Sequence, residues 1–180
     1  QSASGIAAAF VALNQPFVPL FDATPAEAAT PHLAKARADG LKDQFIMDMH
    51  THFLRDDTRL VNFVRSREAV GKAGWNPALV DKPQTLDDLK FNNYFKEIYL
   101  DSDTKVALIS SSPSEIPQDW FLTNEMMIEA RDKVNREAGS RRMFAHAIFT
   151  PGQPGWLEHL EESLKRKPES LKGYTVGDNT

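Results

Sequence analysis

The chain contains no cysteine, which excludes disulfide bonds and any zinc site built on thiolates. It also lacks a long uninterrupted apolar run and any block of basic residues. The formal net charge is −4 at pH 7, so the sequence offers no basic surface for a nucleic-acid partner. A length of 180 residues is sufficient for one domain with a substantial core. The absences therefore leave an ordinary globular protein whose chemistry does not depend on thiols.

The N-terminal segment is apolar but too short and too interrupted for a transmembrane helix. Residues 2–13 are small and apolar, and Asn14, Pro16 and Pro19 break the stretch that follows. The segment resembles the later part of a twin-arginine export signal, although no arginine pair precedes it. The alternative is an arm that packs on the domain, on a partner subunit or on a membrane. We interpret residues 1–43 as this arm or signal remnant plus a linker. An export signal predicts the periplasm or cell envelope, and the alternative compartment is the cytoplasm.

Beyond residue 44, apolar segments alternate with helical segments. The hydrophobic pattern predicts strands at 45–50, 105–110, 142–149 and 171–176, with helices at 58–70, 86–100, 123–138 and 156–167. Helices of this length between strands indicate βαβ connections and a parallel sheet. No glycine-rich phosphate loop follows the first strand, which argues against a Rossmann dinucleotide site. An open doubly wound sheet and a (β/α)₈ barrel of the TIM type both fit this α/β pattern.

Two histidines close the first predicted strand. His50 and His52 are two residues apart, so on a strand both side chains point to the same face. Imidazole nitrogens are common ligands of zinc and other transition metals. Asp48 lies on the same face and could orient a ligand through a hydrogen bond. The pattern predicts a metal site at the strand's C-terminal end, which favours the barrel because barrel active sites gather there.

The segment from Phe45 to Phe53 resembles the first barrel strand of the amidohydrolase superfamily of metal-dependent hydrolases. Residues 145–151 and 171–175 look like the third and fourth strands of its amidohydrolase-related branch, which includes aminocarboxymuconate-semialdehyde decarboxylase. The resemblance implies a divalent metal, most often zinc, held in part by His50 and His52, that activates a water. It implies hydrolysis of an amide or ester bond in a small-molecule substrate. The alternative within the same fold is non-oxidative decarboxylation of an aromatic acid.

The resemblance also implies that the remaining ligands come from later strands. In the family these are histidines, sometimes a carboxylated lysine, and a late aspartate that serves as general base. Lys172 begins the fourth predicted strand, so we expect it at the opposite rim, away from the histidines. Asp178 follows that strand and could contribute to the site. His146 is expected to be a hydrogen-bonded core histidine, with a metal ligand or a contact to substrate as the alternative.

Only about four β/α units fit within the chain. A full barrel takes about 250 residues, and half a barrel would leave two open strand edges. We therefore expect residues 44–180 to be the N-terminal half of a hydrolase barrel, completed by further residues, by a partner chain or in a homo-oligomer. A small open sheet of four strands is the structural alternative. A non-catalytic interaction module with an incomplete metal site is the functional one.

Overall fold

The computed structural model describes residues 43–76 and 79–176, together with Lys35, Asp39 and Gly40. Nearly all of the predicted arm, signal remnant and linker, as well as Asp178, lie outside the described residues. No helix in the described part is long and apolar enough to cross a membrane. The strands of the sheet and the helices that connect them belong to the compact unit that begins at Phe45.

Four parallel strands form a curled sheet in which the spatial order follows the chain order. The strands are β1 (Ile46–Thr51), β2 (Thr104–Ile109), β3 (Met143–Phe149) and β4 (Ser170–Gly173). Each strand pairs with the next in parallel, so all four C-terminal ends lie along one rim. The predicted α/β class and the four parallel strands are confirmed, and the sheet is compatible with part of a β/α barrel.

Helices connect the strands, and two of them pack against β3. They are α1 (Asn62–Lys72), α2 (Phe91–Phe95), α3 (Asn124–Ala138) and α4 (Trp156–Lys165). A 3-10 turn (Leu86–Leu89) precedes α2, and a π-helical turn (Lys96–Leu100) continues it. The prediction of one continuous helix over 86–100 is therefore wrong in detail, because Lys90 has an extended backbone between the turn and α2. A capping box begins the 3-10 turn, since the Asp88 carboxylate accepts hydrogen bonds from the backbone N–H and the hydroxyl of Thr85.

The core lies between the sheet and α3. Met127, Ile128 and Val134 of α3 are buried, and they belong to one cluster with Ile109 and Met143 of the sheet. Burial of an apolar side chain of this size stabilises a fold by about 1.5–3 kcal/mol. This packing holds the strands whose ends form the rim.

A buried amide completes the hydrogen bonding where β2 and β3 separate near the rim. The ladder between these strands ends at Ile109 and Ala145. Beyond it, Asn124 Oδ1 accepts from the Ile148 N–H at 2.8 Å, and Asn124 Nδ2 donates to the Ile148 carbonyl at 2.9 Å and to Ser163 Oγ at 2.8 Å. Asn124 thus replaces a missing strand partner and fixes the start of α3 against β3.

Candidate metal centre

The imidazoles of His50 and His52 converge at the C-terminal end of β1. Their Nε2 atoms are 2.8 Å apart, and the ring centroids are 4.5 Å apart at an interplanar angle of 71°. The register of β1 against β2 shifts between Asp48 and Thr51, and such irregularities bend a strand and re-aim its side chains. Asp48 Oδ1 accepts a hydrogen bond from the backbone N–H of His50 at 3.1 Å. Asp48 therefore holds the backbone at the strand end.

The backbone of β2 fixes the orientation of His52. His52 Nδ1 lies 3.1 Å from the carbonyl oxygen of Ser110, the residue that follows β2. A carbonyl only accepts, so Nδ1 carries the hydrogen, and a neutral ring then keeps the Nε2 lone pair for another partner. Burial lowers the pKa of His52, and the charges of His50 and Lys172 lower it further against the opposing effect of the Ser110 carbonyl. These effects favour the neutral imidazole, which is the form that binds metals.

Lys172 lies in the same cluster, so the prediction that it lies at the opposite rim is wrong. Its Nζ is 2.9 Å from His50 Nε2 and 3.1 Å from Ser110 Oγ. The reason is the register of β4: Ser170 pairs with His146, in the middle of β3, so the short β4 begins already halfway along the sheet. Lys172 is then only one residue from the C-terminal end of β4, and its long side chain reaches across to β1.

The two neighbours of His50 Nε2 require opposite hydrogen-bonding roles of this one nitrogen. An imidazole nitrogen either donates or accepts, whereas an ammonium group only donates. A neutral His52 with its hydrogen on Nδ1 can only accept at Nε2, so His50 Nε2 would have to donate to it. The ammonium of Lys172 also donates, so the same His50 Nε2 would have to accept from it. A cation between the two imidazoles would take the lone pairs of both Nε2 atoms, and Lys172 would then have to turn away from His50 or lose its positive charge.

His146 extends the polar character of this side of the sheet. Its Nδ1 lies 2.7 Å from Ser170 Oγ, so the ring is hydrogen-bonded, although the side chain is only half-buried. Burial lowers the pKa of His146, and the charges of Lys172, His50 and His52 act in the same direction. Three histidines and Lys172 thus lie close together on this side of the sheet.

The two imidazoles fit two positions of a metal site. Zinc–nitrogen bonds of about 2.0–2.1 Å in a tetrahedron place two ligand nitrogens roughly 3.3 Å apart. The observed separation of 2.8 Å requires only a small side-chain rotation to reach that value. A catalytic zinc takes three protein ligands, and the described residues contain no group of three histidine, cysteine or acidic side chains placed to hold a metal. The fit is thus to a pair of ligands that needs at least one more.

Comparisons of the chain with protein-family models, with curated proteins and with solved structures found no match. Sequence reasoning anticipated that His50 and His52 would share a face, but it missed Lys172. The sequence of β4 does not show at which point along β3 the strand begins, because tertiary pairing sets that register.

Proposed function

We propose that the chain forms part of a metal-dependent hydrolase of the amidohydrolase superfamily. In this proposal residues 44–180 supply the first four units of a (β/α)₈ barrel of the TIM type. The observation that supports it most is the convergence of the His50 and His52 Nε2 atoms beside Lys172 at the C-terminal rim of a parallel sheet. Barrel enzymes hold their catalytic groups at that rim.

His50 and His52 would hold a divalent metal, with zinc as the ion that suits imidazole ligands, through their Nε2 atoms. When bound, such an ion lowers the pKa of a water and polarises the carbonyl of an amide or ester. His52 is already held for this role by the Ser110 carbonyl. The proposal also requires further metal ligands and a general base that the described residues do not supply.

Lys172 is the residue that we propose as a third ligand, in carboxylated form. The ammonium would first lose one proton; the neutral amine would then attack the carbon of dissolved CO₂, forming an N–C bond while one C–O π bond opens onto oxygen, and the nitrogen would release a second proton to give a carbamate. This reaction replaces a cation beside His50 with an anionic oxygen donor, which suits a divalent ion. The resemblance to the amidohydrolase superfamily, in which some members use a carboxylated lysine, supports this assignment.

The proposal is tested by metal-dependent activity of the full-length protein. Ester and amide substrates are assayed before chelation, after chelation and after zinc is restored, beside a panel of aromatic carboxylates assayed for CO₂ release. We expect hydrolysis that is lost on chelation, recovered with zinc, and reduced about 100-fold or more in His50→Ala and His52→Ala. His159→Ala is the matched control, because His159 lies on α4 beside Trp120. Hydrolysis that survives chelation would contradict the proposal, and CO₂ release without hydrolysis would replace it with a decarboxylase.

A further inference from the structure

A cavity of about 410 Å³ opens directly beside the two histidines. Its lining includes His50 and His52 together with the apolar side chains Phe63, Phe121, Leu89 and Ile98. Small-molecule sites typically occupy about 300–1,000 Å³ and are lined mainly by apolar and aromatic side chains with a few polar groups. The cavity thus has the size and wall chemistry of a ligand pocket.

Aromatic rings connect the histidines to the cavity wall without a break. The ring of His52 meets Phe121 edge-on, with centroids 5.6 Å apart at 89°, and Phe121 meets Phe63 in the same way at 4.9 Å and 86°. Edge-to-face packing at these distances fixes the orientation of neighbouring rings. The aromatic wall is therefore held in a defined position relative to His52 Nε2.

The charged groups in the wall already have hydrogen-bond partners, including Asp48, which accepts from the backbone N–H of His50. Arg67 Nε donates to Gln84 Oε1 at 2.7 Å, and its guanidinium also forms an ion pair with Glu97. Asp88 accepts hydrogen bonds from Thr85. A charged ligand group that enters the cavity would have to compete with these contacts, whereas an apolar group would not.

We propose that this cavity binds the apolar end of the substrate, a group of about the size of a phenyl ring. An apolar protein cavity of about 150 Å³ is enough to bind benzene, so 410 Å³ accommodates a ring together with the bond that connects it to the reacting carbonyl. The substrate class is then an amide or ester with an aryl or similarly bulky apolar group. The reacting end rests on the proposed function, and the apolar end rests on the cavity alone.

Three small probes separate these two parts of the inference in the full-length, zinc-loaded protein. Benzyl alcohol carries a ring without a metal-binding group, acetohydroxamate carries a metal-binding group without a ring, and benzohydroxamate carries both. Binding is measured by calorimetry and by NMR shifts of the phenylalanine ring protons. We expect benzohydroxamate to bind at least about tenfold more tightly than acetohydroxamate, and benzyl alcohol to shift the resonances of Phe63 and Phe121.

Variants of Phe63 locate the effect. Phe63→Ala should remove most of the advantage of benzohydroxamate over acetohydroxamate, and Phe63→Leu, which keeps the wall apolar and preserves packing, should reduce it in part. Phe149→Leu is the control, because Phe149 packs against Trp156 and does not line the cavity. That variant should keep the full tenfold preference.

The outcomes distinguish the cavity from the metal. Equal binding of the two hydroxamates, with no effect of benzyl alcohol on Phe63 or Phe121, would overturn the cavity inference. A second outcome is that benzyl alcohol binds at Phe63 while the hydroxamates bind equally well with and without zinc. That outcome would support the cavity inference and contradict the metal-dependent function.

Discussion

A carboxylated Lys172 makes metal binding depend on bicarbonate. In the wild-type protein, reconstitution of the chelated protein with zinc should give tighter binding when bicarbonate is present, because the carbamate adds an anionic ligand. Lys172→Gln should bind zinc about tenfold or more weakly and should show no response to bicarbonate. Lys105→Gln, on the exposed side of β2, is the control. Zinc affinity in Lys172→Gln equal to that of the wild type would contradict the assignment.

Lys172 and the two histidines show how far single residues can be placed from the sequence. The alternation of a strand is a local property, so the spacing of His50 and His52 was enough to predict that they share a face. The position of Lys172 depends on where β4 begins relative to β3, which is a tertiary property. The same limit applies to Ser110, whose carbonyl orients His52 and whose hydroxyl contacts Lys172.

The position of His146 predicts a pH dependence of stability. Its pKa in the folded protein is below the reference value of 6.5, so the neutral ring stabilises the fold above pH 6.5. That stability is lost as the pH falls from 6.5 through the lower folded-state pKa, because the unfolded chain binds the proton more readily. Urea unfolding of the metal-free protein at pH 7.5 and at lower pH should show a smaller decrease for His146→Gln than for the wild type. Equal decreases would show that His146 does not titrate in this way.

Most helices and strands follow from local patterns, and the exceptions have tertiary causes. The apolar spacing in α3 and in β2 and β3 placed these elements to within a few residues. The apolar spacing over 86–100 does not show that the helix is broken. The carbonyl of Leu89 accepts a hydrogen bond from the N–H of Leu54 at 2.8 Å, whereas in a continuous helix it would accept from the residue four positions later. The contact with the loop after β1 thus divides the helix.

The amide of Asn124 is expected to stabilise the fold strongly. Asn124→Ala removes three hydrogen bonds at a position with no solvent exposure and leaves both backbone groups of Ile148 without their partner. We expect the free energy of unfolding to fall by about 2–4 kcal/mol. Asn93→Ala, which removes one partly buried bond to the Asp88 carbonyl, should lower it by about 0.5–1.5 kcal/mol. Equal losses in the two variants, measured by urea unfolding, would contradict the role assigned to Asn124.

Gly71 is required by a close approach of two backbone segments. A Cβ added at this position of α1 would lie 2.6 Å from the carbonyl oxygen of Leu79, which is too close for any side chain. Glycine to alanine ordinarily stabilises a helix by up to about 1 kcal/mol, but here the clash should destabilise the protein by about 1–3 kcal/mol. Thermal unfolding of Gly71→Ala gives the sign directly. A rise in the melting temperature would mean that Leu79 moves away freely.

At the scale of the whole molecule, the sheet has two unpaired edges in the described part of the chain, at β1 and at β4. Phe45 and Met49 on β1 or next to it are 72% and 58% exposed, and Leu171 on β4 is 48% exposed. Exposed apolar side chains along open strand edges are where a further β/α unit would pack. Completion of the barrel by further residues, by a partner chain or by a second copy of this chain remains a prediction, because the curled sheet defines only part of a barrel.

The central claim, that His50 and His52 bind a metal ion, is tested most directly by the metal content of the full-length protein. Elemental analysis of the purified protein, with calorimetric titration of zinc into the chelated form, compares the wild type with the His50→Ala/His52→Ala double variant and the His159→Ala control. The wild type and the control should contain a divalent metal and rebind zinc, while the double variant should do neither. Unchanged metal content and zinc affinity in the double variant would contradict the claim.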